Sequence, residues 1–295
     1  MRRLIAAALV LLLTATAAPA QDRPRIVAVN YALQYLAERL AADTVEVVFP
    51  VPANVDPSFW RPSIADISAI QSADLILLNG AGFATWVDRV SLPRSKIVTT
   101  SNAFSDRFIV TESITHSHGD GGEHSHEGTA TYFWLDPSLA ALQAEAIATA
   151  LVTRRLVSEG DAADRLAVLR ADLDALDAEA RATLGSLAQT AVITTHPRYQ
   201  YLARAYGLEM RALEWEAGAA PTAEELAELR ALMAETDARV LIWEAQPSPE
   251  ALTVTAELGL QNVIFPPLAH APGDEDYLTA FRTSLASLAA IDLSQ

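Results

Sequence analysis

The first half of the chain alternates short apolar runs with stretches in which apolar residues recur every three or four positions. Such runs predict strands, and the longer spacing predicts helices between them. Strands that alternate with helices indicate βαβ units and a parallel sheet. The predicted strands cover residues 26–30, 45–49, 75–79 and 96–99.

The second half repeats this pattern, and one long helix is predicted between the halves. Leucines at helical spacing run from Leu166 to Leu184, with Asp161 as the expected N-cap and Gly185 as the expected C-cap. The predicted fold is α/β, with two parallel-sheet α/β lobes joined by one long rigid α-helix. We expect an N-terminal lobe at 21–158, a linking helix at 159–186 and a C-terminal lobe at 187–295. Ligands of such sheets bind beyond the carboxyl ends of the strands, which places a site in the interlobe cleft.

The start of the chain resembles an export signal. Arg2 and Arg3 precede an apolar stretch at 4–13, and Ala18-Pro19-Ala20 is typical of a cleavage site. We therefore expect residues 1–20 to be a cleaved signal peptide, with no membrane insertion after cleavage. The chain has no cysteine, which argues against disulfides, thiolate metal sites and a lipid-modified N-terminal cysteine. These observations predict a periplasmic protein that is not a lipoprotein.

The net charge of −16 bears on the choice of partner. A chain this acidic repels phosphates, so nucleic acid is not expected as a partner. Cations are the more natural ligands, although an acidic surface also serves solubility alone.

A histidine-rich segment at 115–129 interrupts the alternation. It contains two His-x-His pairs among carboxylates and glycines, and its histidines are His116, His118, His124 and His126. Neutral imidazole suits borderline ions such as zinc, and carboxylates can complete a tetrahedron. Copper and nickel also bind such tracts. The alternative is a merely solvated polar loop.

Four motifs occur together along the chain. They are Val51-Pro52-Ala53-Asn54-Val55-Asp56-Pro57, Ala73-Asp74-Leu75 through Asn79-Gly80, Trp134-Leu135-Asp136-Pro137, and Thr195-His196 through Ala205-Tyr206-Gly207-Leu208. Through them the chain, nearly end to end, resembles the zinc/manganese substrate-binding proteins of ABC transporters, in which one long helix joins two α/β lobes. The histidine-rich segment just before the Trp134 motif resembles the zinc-binding branch of that family.

The resemblance implies a metal site in the cleft, but this chain departs from the family at the expected ligands. Ser58 and Tyr132 stand where family members have histidines, and Pro266 stands at or near a common acidic position. His196 is the one imidazole retained, and the resemblance implies that it is a metal ligand.

Three outcomes stay open for the cleft. It binds Zn²⁺ through His196 with a carboxylate of Glu214, Glu216 or Glu244, or it favours a harder ion such as Fe³⁺ through a Tyr132 phenolate. In the third outcome the cleft holds no metal and only the histidine-rich segment binds. Mn²⁺ and Cu²⁺ remain alternatives to zinc.

The expected function is capture of a metal ion and its delivery to an ABC permease in the inner membrane, by a monomer. One alternative is an accessory metal chaperone or adhesin-like protein that binds only through the histidine-rich segment. Another is a binding protein for a different ligand. The sequence contains no G-x-S-x-G, H-E-x-x-H or phosphate-binding GK[ST] motif, so an enzyme is not expected.

Overall fold

A computed structural model describes residues 23–111, 128–188 and 190–292 of the chain. The predicted signal peptide and the four histidines His116, His118, His124 and His126 lie outside the described residues. Within those ranges, no helix is both long and apolar enough to cross a bilayer.

The first lobe is built around a four-stranded parallel sheet with the strand order β2-β1-β3-β4. Val27 of β1 is in register with Val48 of β2 and Ile76 of β3, so the apolar runs of the sequence lie side by side. Its elements are β1 (Arg25–Ala28), α1 (Tyr31–Ala41), β2 (Glu46–Val48), α2 (Ile64–Ser72), β3 (Leu75–Leu78) and β4 (Ile97–Thr99).

A short antiparallel pair and two helices follow. They are β5 (Val110–Thr111), β6 (Gly128–Thr129), α3 (Pro137–Thr153) and α4 (Glu159–Leu184). With 26 residues, α4 is about 39 Å long at the usual helical rise. It packs against α1, α3 and the C-terminal helix.

The start of α4 differs from the prediction. Ser158, not Asp161, is the N-cap: its backbone is extended, and its side chain accepts a hydrogen bond from the backbone N–H of Asp161. Gly160 therefore lies inside the first turn instead of separating two helices. The physical reason is that an extended serine can satisfy a free N–H of the first turn, which leaves Glu159 and Asp161 to complement the positive end of the helix.

The second lobe contains another parallel sheet, with the strand order β10-β9-β7-β8. Together the two sheets and α4 confirm the predicted fold class. The elements are β7 (Val192–Thr194), α5 (Gln200–Tyr206), β8 (Met210–Ala212), α6 (Ala223–Thr236), β9 (Val240–Trp243), α7 (Pro249–Glu257), β10 (Gln261–Ile264) and α8 (Tyr277–Ala289).

Two other helices, α2 and α6, begin at capping boxes. Ser63 and Asp66 form a capping box at α2, and Thr222 and Glu225 form another at α6. In each box the cap side chain and the acidic side chain satisfy one another's backbone N–H groups, which fixes where the helix begins.

One apolar core extends from the first sheet to the second. Alternate residues of β9 explain how: Val240 and Ile242 face this shared core, whereas Leu241 and Trp243 face a smaller cluster under α6 and α7. Leucines of α4 lie in the shared core between the sheets. These are Leu169, Leu173, Leu176 and Leu184.

The end of the chain also contacts the first lobe. The Tyr277 hydroxyl donates to the backbone carbonyl of Trp134, and the Tyr277 and Tyr35 rings lie 5.4 Å apart. The Trp134 indole in turn donates to the carbonyl of Pro267 at 2.7 Å. The segment from Pro267 to α8 therefore completes the packing around the first sheet.

Candidate metal-binding cleft

The carboxyl ends of the second sheet carry the polar side chains of the cleft. His196 and Arg198 follow β7, Glu214 follows β8, and Glu244 follows β9 directly. Because these strands are parallel and adjacent, their carboxyl ends lie at one edge of the sheet. The first lobe contributes Asp56, from the loop after β2.

The backbone around His196 is held by hydrogen bonds that continue the strand pairing. The Thr195 N–H donates to the Ile242 carbonyl at 2.9 Å, and the Trp215 N–H donates to the Thr195 carbonyl at 2.9 Å. The imidazole is half-buried, and its Nδ1 lies 3.2 Å from the Trp215 carbonyl oxygen. That contact orients the ring by a hydrogen bond when Nδ1 carries the proton, and leaves Nε2 as the nitrogen with a lone pair.

Arg198 connects the two lobes through two carboxylates. Its Nε donates to Glu244 Oε2 at 2.6 Å, and its Nη2 donates to Asp56 Oδ2 at 2.6 Å. The Arg198 side chain is 11 % exposed and that of Glu244 is 9 % exposed, so water screens this ion pair little. Charge-assisted hydrogen bonds of this length are among the strong ones in proteins.

Aromatic side chains form one wall of the cleft. The Tyr132 ring is buried, packing edge-on against Phe83 at 5.8 Å and tilted against Trp134 at 4.9 Å. The Arg198 guanidinium carbon lies 5.0 Å from the centre of the Tyr132 ring. The guanidinium is therefore held by a cation–π contact as well as by its two carboxylates.

The charges shift the pKa values of their neighbours. Burial opposes ionisation of Asp56, but the Arg198 guanidinium and the hydrogen bond from the Ser58 N–H outweigh it, so the pKa of Asp56 is lowered. Burial likewise opposes the charge on Arg198, but Asp56 and Glu244 outweigh burial and raise its pKa. The pair of Asp56 and Arg198 therefore stays charged at neutral pH.

The remaining predicted positions lie around this ion pair. Glu214 is exposed and precedes Trp215, and Pro266 is half-buried after β10. The Ser58 N–H donates to Asp56 Oδ1 at 2.8 Å, and the Thr85 hydroxyl donates to the Ser58 carbonyl at 2.9 Å. The position taken by Ser58 thus supports the carboxylate that Arg198 holds.

The side chains of the cleft that the structure describes do not form a metal cluster as arranged. Among the described residues, no three His, Asp or Glu side chains are placed so that they could hold an ion together. Zinc sites usually need three or four such ligands at about 2.0–2.2 Å. Asp56 and Glu244 would suit such a site chemically, but their oxygens are turned to Arg198.

The sequence reasoning missed Asp56, Arg198 and His270. Asp56 was visible as part of a family motif, and Arg198 lies only two residues after His196, yet neither position reveals a partner in the other lobe. No motif in the sequence singles out His270; its Nε2 lies 2.6 Å from the Val55 carbonyl oxygen, and its ring lies 5.2 Å from Phe49. It fixes the loop that carries Asp56 to the last loop of the chain.

Two parallel-sheet lobes on one long helix, with an acidic cleft at the strand ends, define the class of transporter substrate-binding proteins. The family model described as "Zinc-uptake complex component A periplasmic" matches residues 26–291. The chain belongs to this family of zinc-uptake components, which confirms the resemblance seen in the sequence. It also confirms the expected class, a binding component and not an enzyme.

Named relatives and solved structures agree. The chain is 27 % identical over 282 residues to the zinc-binding lipoprotein AdcA of Streptococcus pneumoniae, covering 91 % of this chain and 56 % of that protein. It is 27 % identical over 263 residues to the high-affinity zinc uptake system protein ZnuA of Bacillus subtilis, covering 82 % of this chain and 78 % of that protein. A crystal structure of ZnuA superposes with a TM-score of 0.71 at 26 % identity, covering 91 % of this chain and 98 % of that chain. The chain thus spans little more than half the length of the streptococcal relatives.

The predicted localisation needs a correction. A protein free in the periplasm and not a lipoprotein was expected, because the sequence has no cysteine. The S. pneumoniae relatives are named lipoproteins, and this naming contradicts the expectation of a protein without a lipid anchor. The expectation failed because it rested on the absence of one residue type.

Proposed function

We propose that this chain captures Zn²⁺ and delivers it to an ABC permease in the inner membrane. The observation that carries the proposal is the family match over residues 26–291, the stretch that contains both lobes and the cleft. We include in the proposal that the chain acts as a monomer, and that its lobes divide at the linking helix as the sequence predicted.

The chemistry of the cleft supports zinc as the cargo. His196 supplies one imidazole, with its Nδ1 against the Trp215 carbonyl. Asp56 and Glu244 supply carboxylates, and a nitrogen with two oxygens is a donor set that zinc accepts. Tyr132 is a weaker candidate ligand because its buried ring lies against Arg198.

The histidine-rich segment has a separate role in the proposal. His116, His118, His124 and His126 would gather zinc, and His196, assisted by Glu214, would hold it in the cleft. A carboxylate-rich surface attracts divalent cations from solution, which favours such a path.

One observation favours a second function, an accessory chaperone that binds metal only through the histidine-rich segment. Arg198 already pairs with the two cleft carboxylates, so a cleft unable to release it would hold no metal. The two functions make different predictions for His196.

Calorimetric titration of the metal-stripped chain with zinc tests both. The variants are His196→Ala and a fourfold His→Ser variant at positions 116, 118, 124 and 126. If the proposal is right, the fourfold variant keeps one site, and adding His196→Ala abolishes it. If the fourfold variant binds no zinc while His196→Ala binds as the parent does, the accessory function replaces the proposed one. The proposal also predicts that deleting the gene slows growth under zinc chelation.

A further inference from the structure

A positively charged side chain already lies between the two carboxylates of the cleft. The distances of 2.6 Å from Arg198 to Asp56 and to Glu244 leave no room for an ion between those oxygens and the guanidinium. One carboxylate comes from each lobe, so the guanidinium also fastens the lobes together across the cleft.

The electrostatics make the guanidinium and a divalent ion alternatives. Two carboxylates and one guanidinium carry a net charge of about −1, and the site is mostly buried. Removing the guanidinium leaves two carboxylates without a counter-ion, which is unfavourable in a buried place unless another cation enters. A cation that arrives while Arg198 stays in place meets its positive charge directly.

Displacement of Arg198 concerns its side chain. Its backbone N–H donates to the His196 carbonyl at 2.9 Å at the end of β7, whereas the contacts with Asp56, Glu244 and the Tyr132 ring are all made by the guanidinium. Once it leaves, the Asp56 and Glu244 oxygens are free to accept another cation. His196 becomes the third ligand only when release of Arg198 lets the two lobes move, because these three side chains do not form a metal cluster as arranged.

Resting on the proposed function, we propose that Arg198 is the built-in cation of this cleft and that zinc enters only by displacing its guanidinium from Asp56 and Glu244. Arg198 thereby sets the zinc affinity of the cleft and couples zinc entry to release of the contact between the lobes. It is an affinity-determining residue and not a ligand.

Zinc titration of Arg198→Met tests this, in the full chain with the four segment histidines replaced by serine. Methionine keeps much of the side-chain volume without the charge. We expect zinc affinity to rise by about tenfold or more, the scale of close charge-pair coupling, and His196→Ala to cancel the gain. Unchanged or weaker binding by a folded Arg198→Met variant overturns the proposal.

A matched control lies outside the cleft. Arg39 also pairs with one carboxylate, Asp172 at 2.5 Å, and also lies against an aromatic ring, Tyr35 at 5.6 Å. Arg39→Met should leave zinc affinity unchanged; a gain equal to that of Arg198→Met would mean a general effect of lost positive charge and would overturn the proposal.

A second variant covers the case in which Arg198→Met does not fold, as judged by circular dichroism. Arg198→Lys keeps the charge but has no planar fork to reach both carboxylates, so it should raise zinc affinity by less than methionine. Affinity at or below that of the parent would overturn the proposal. The proposed function has its own test, because it fails if the unmodified chain binds no zinc. The role of Arg198 is tested only by the ratio of the zinc affinities of the variant and its parent.

Discussion

At the scale of single residues, three charged side chains of the cleft depend on one another. Asp56 is fixed by the Ser58 N–H and by Arg198, and Arg198 is fixed by Asp56, Glu244 and the Tyr132 ring. Because Arg198 and Glu244 are nearly buried, loss of one charge leaves its partners in a place where water solvates them poorly.

The lowered pKa of Asp56 predicts how acid affects stability. Its carboxylate contributes stability that is present above its ordinary pKa of 3.8 and is lost as the pH falls through the lower value of the folded state. Asp56→Asn should therefore be less stable at pH 7 and should lose less stability than the parent between about pH 4 and pH 2. Urea unfolding at several pH values measures both. In an Arg198→Met background the same substitution should change the acid slope little, and an undiminished change there would contradict the role given to Arg198.

Single residues also show the limit of reading this site from sequence. His196 could be placed because a family motif and a strand end coincide at it. The partnership of Arg198 with Asp56 could not, because the two are 142 residues apart and only the packing of two lobes brings them together. The sequence shows that Ser58 and Tyr132 stand where family members have histidines. It does not show that the Arg198 guanidinium lies beside those two positions.

At the scale of elements, the long helix α4 is held by one buried stripe. Leu173 is 1 % exposed in the shared core, whereas Val168 on the same helix is 58 % exposed. The spacing of the leucines predicted this helix because burial on one face repeats every three or four residues. The start of the helix was predicted less well. Glycine often interrupts helices, but Gly160 lies in the first turn of α4, which Ser158 caps.

Paired substitutions on α4 test this account. Leu173→Ala should lower the free energy of unfolding by about 2–5 kcal/mol, because it removes buried methyl groups and leaves a cavity. Val168→Ala on the exposed side should change it by less than about 0.5 kcal/mol. Urea unfolding of the two variants gives the comparison, and similar losses for both would contradict the assignment of the buried face.

At the scale of the whole molecule, the shared core joins elements that the sequence assigns to different lobes. Val192 and Val240 of the second sheet lie in the same cluster as Val27 and Ile76 of the first. The alternating pattern predicted two sheets and a connecting helix, but it could not show that one face of each sheet would share a core. Periodicity reports which side of an element is buried and not what covers it.

The shared core predicts a single unfolding transition for the metal-free chain. Neither lobe can lose its packing without exposing apolar residues of the other, so the two should unfold together. Differential scanning calorimetry should show one peak whose calorimetric enthalpy equals the van't Hoff enthalpy. Two separable peaks, or an enthalpy ratio well above one, would show that the lobes unfold independently.

The contacts of α8 bear on when the first lobe can finish folding during synthesis of the chain. Ribosomes make α8 after every other element described, yet its Tyr277 packs on Tyr35 and donates to the Trp134 carbonyl in the half of the chain made first. Many multi-lobed proteins fold from the N-terminus during translation. Here the earliest-made sheet must wait, incompletely covered, until α8 has been synthesised, so folding of the first lobe is completed only after α8 has left the ribosome.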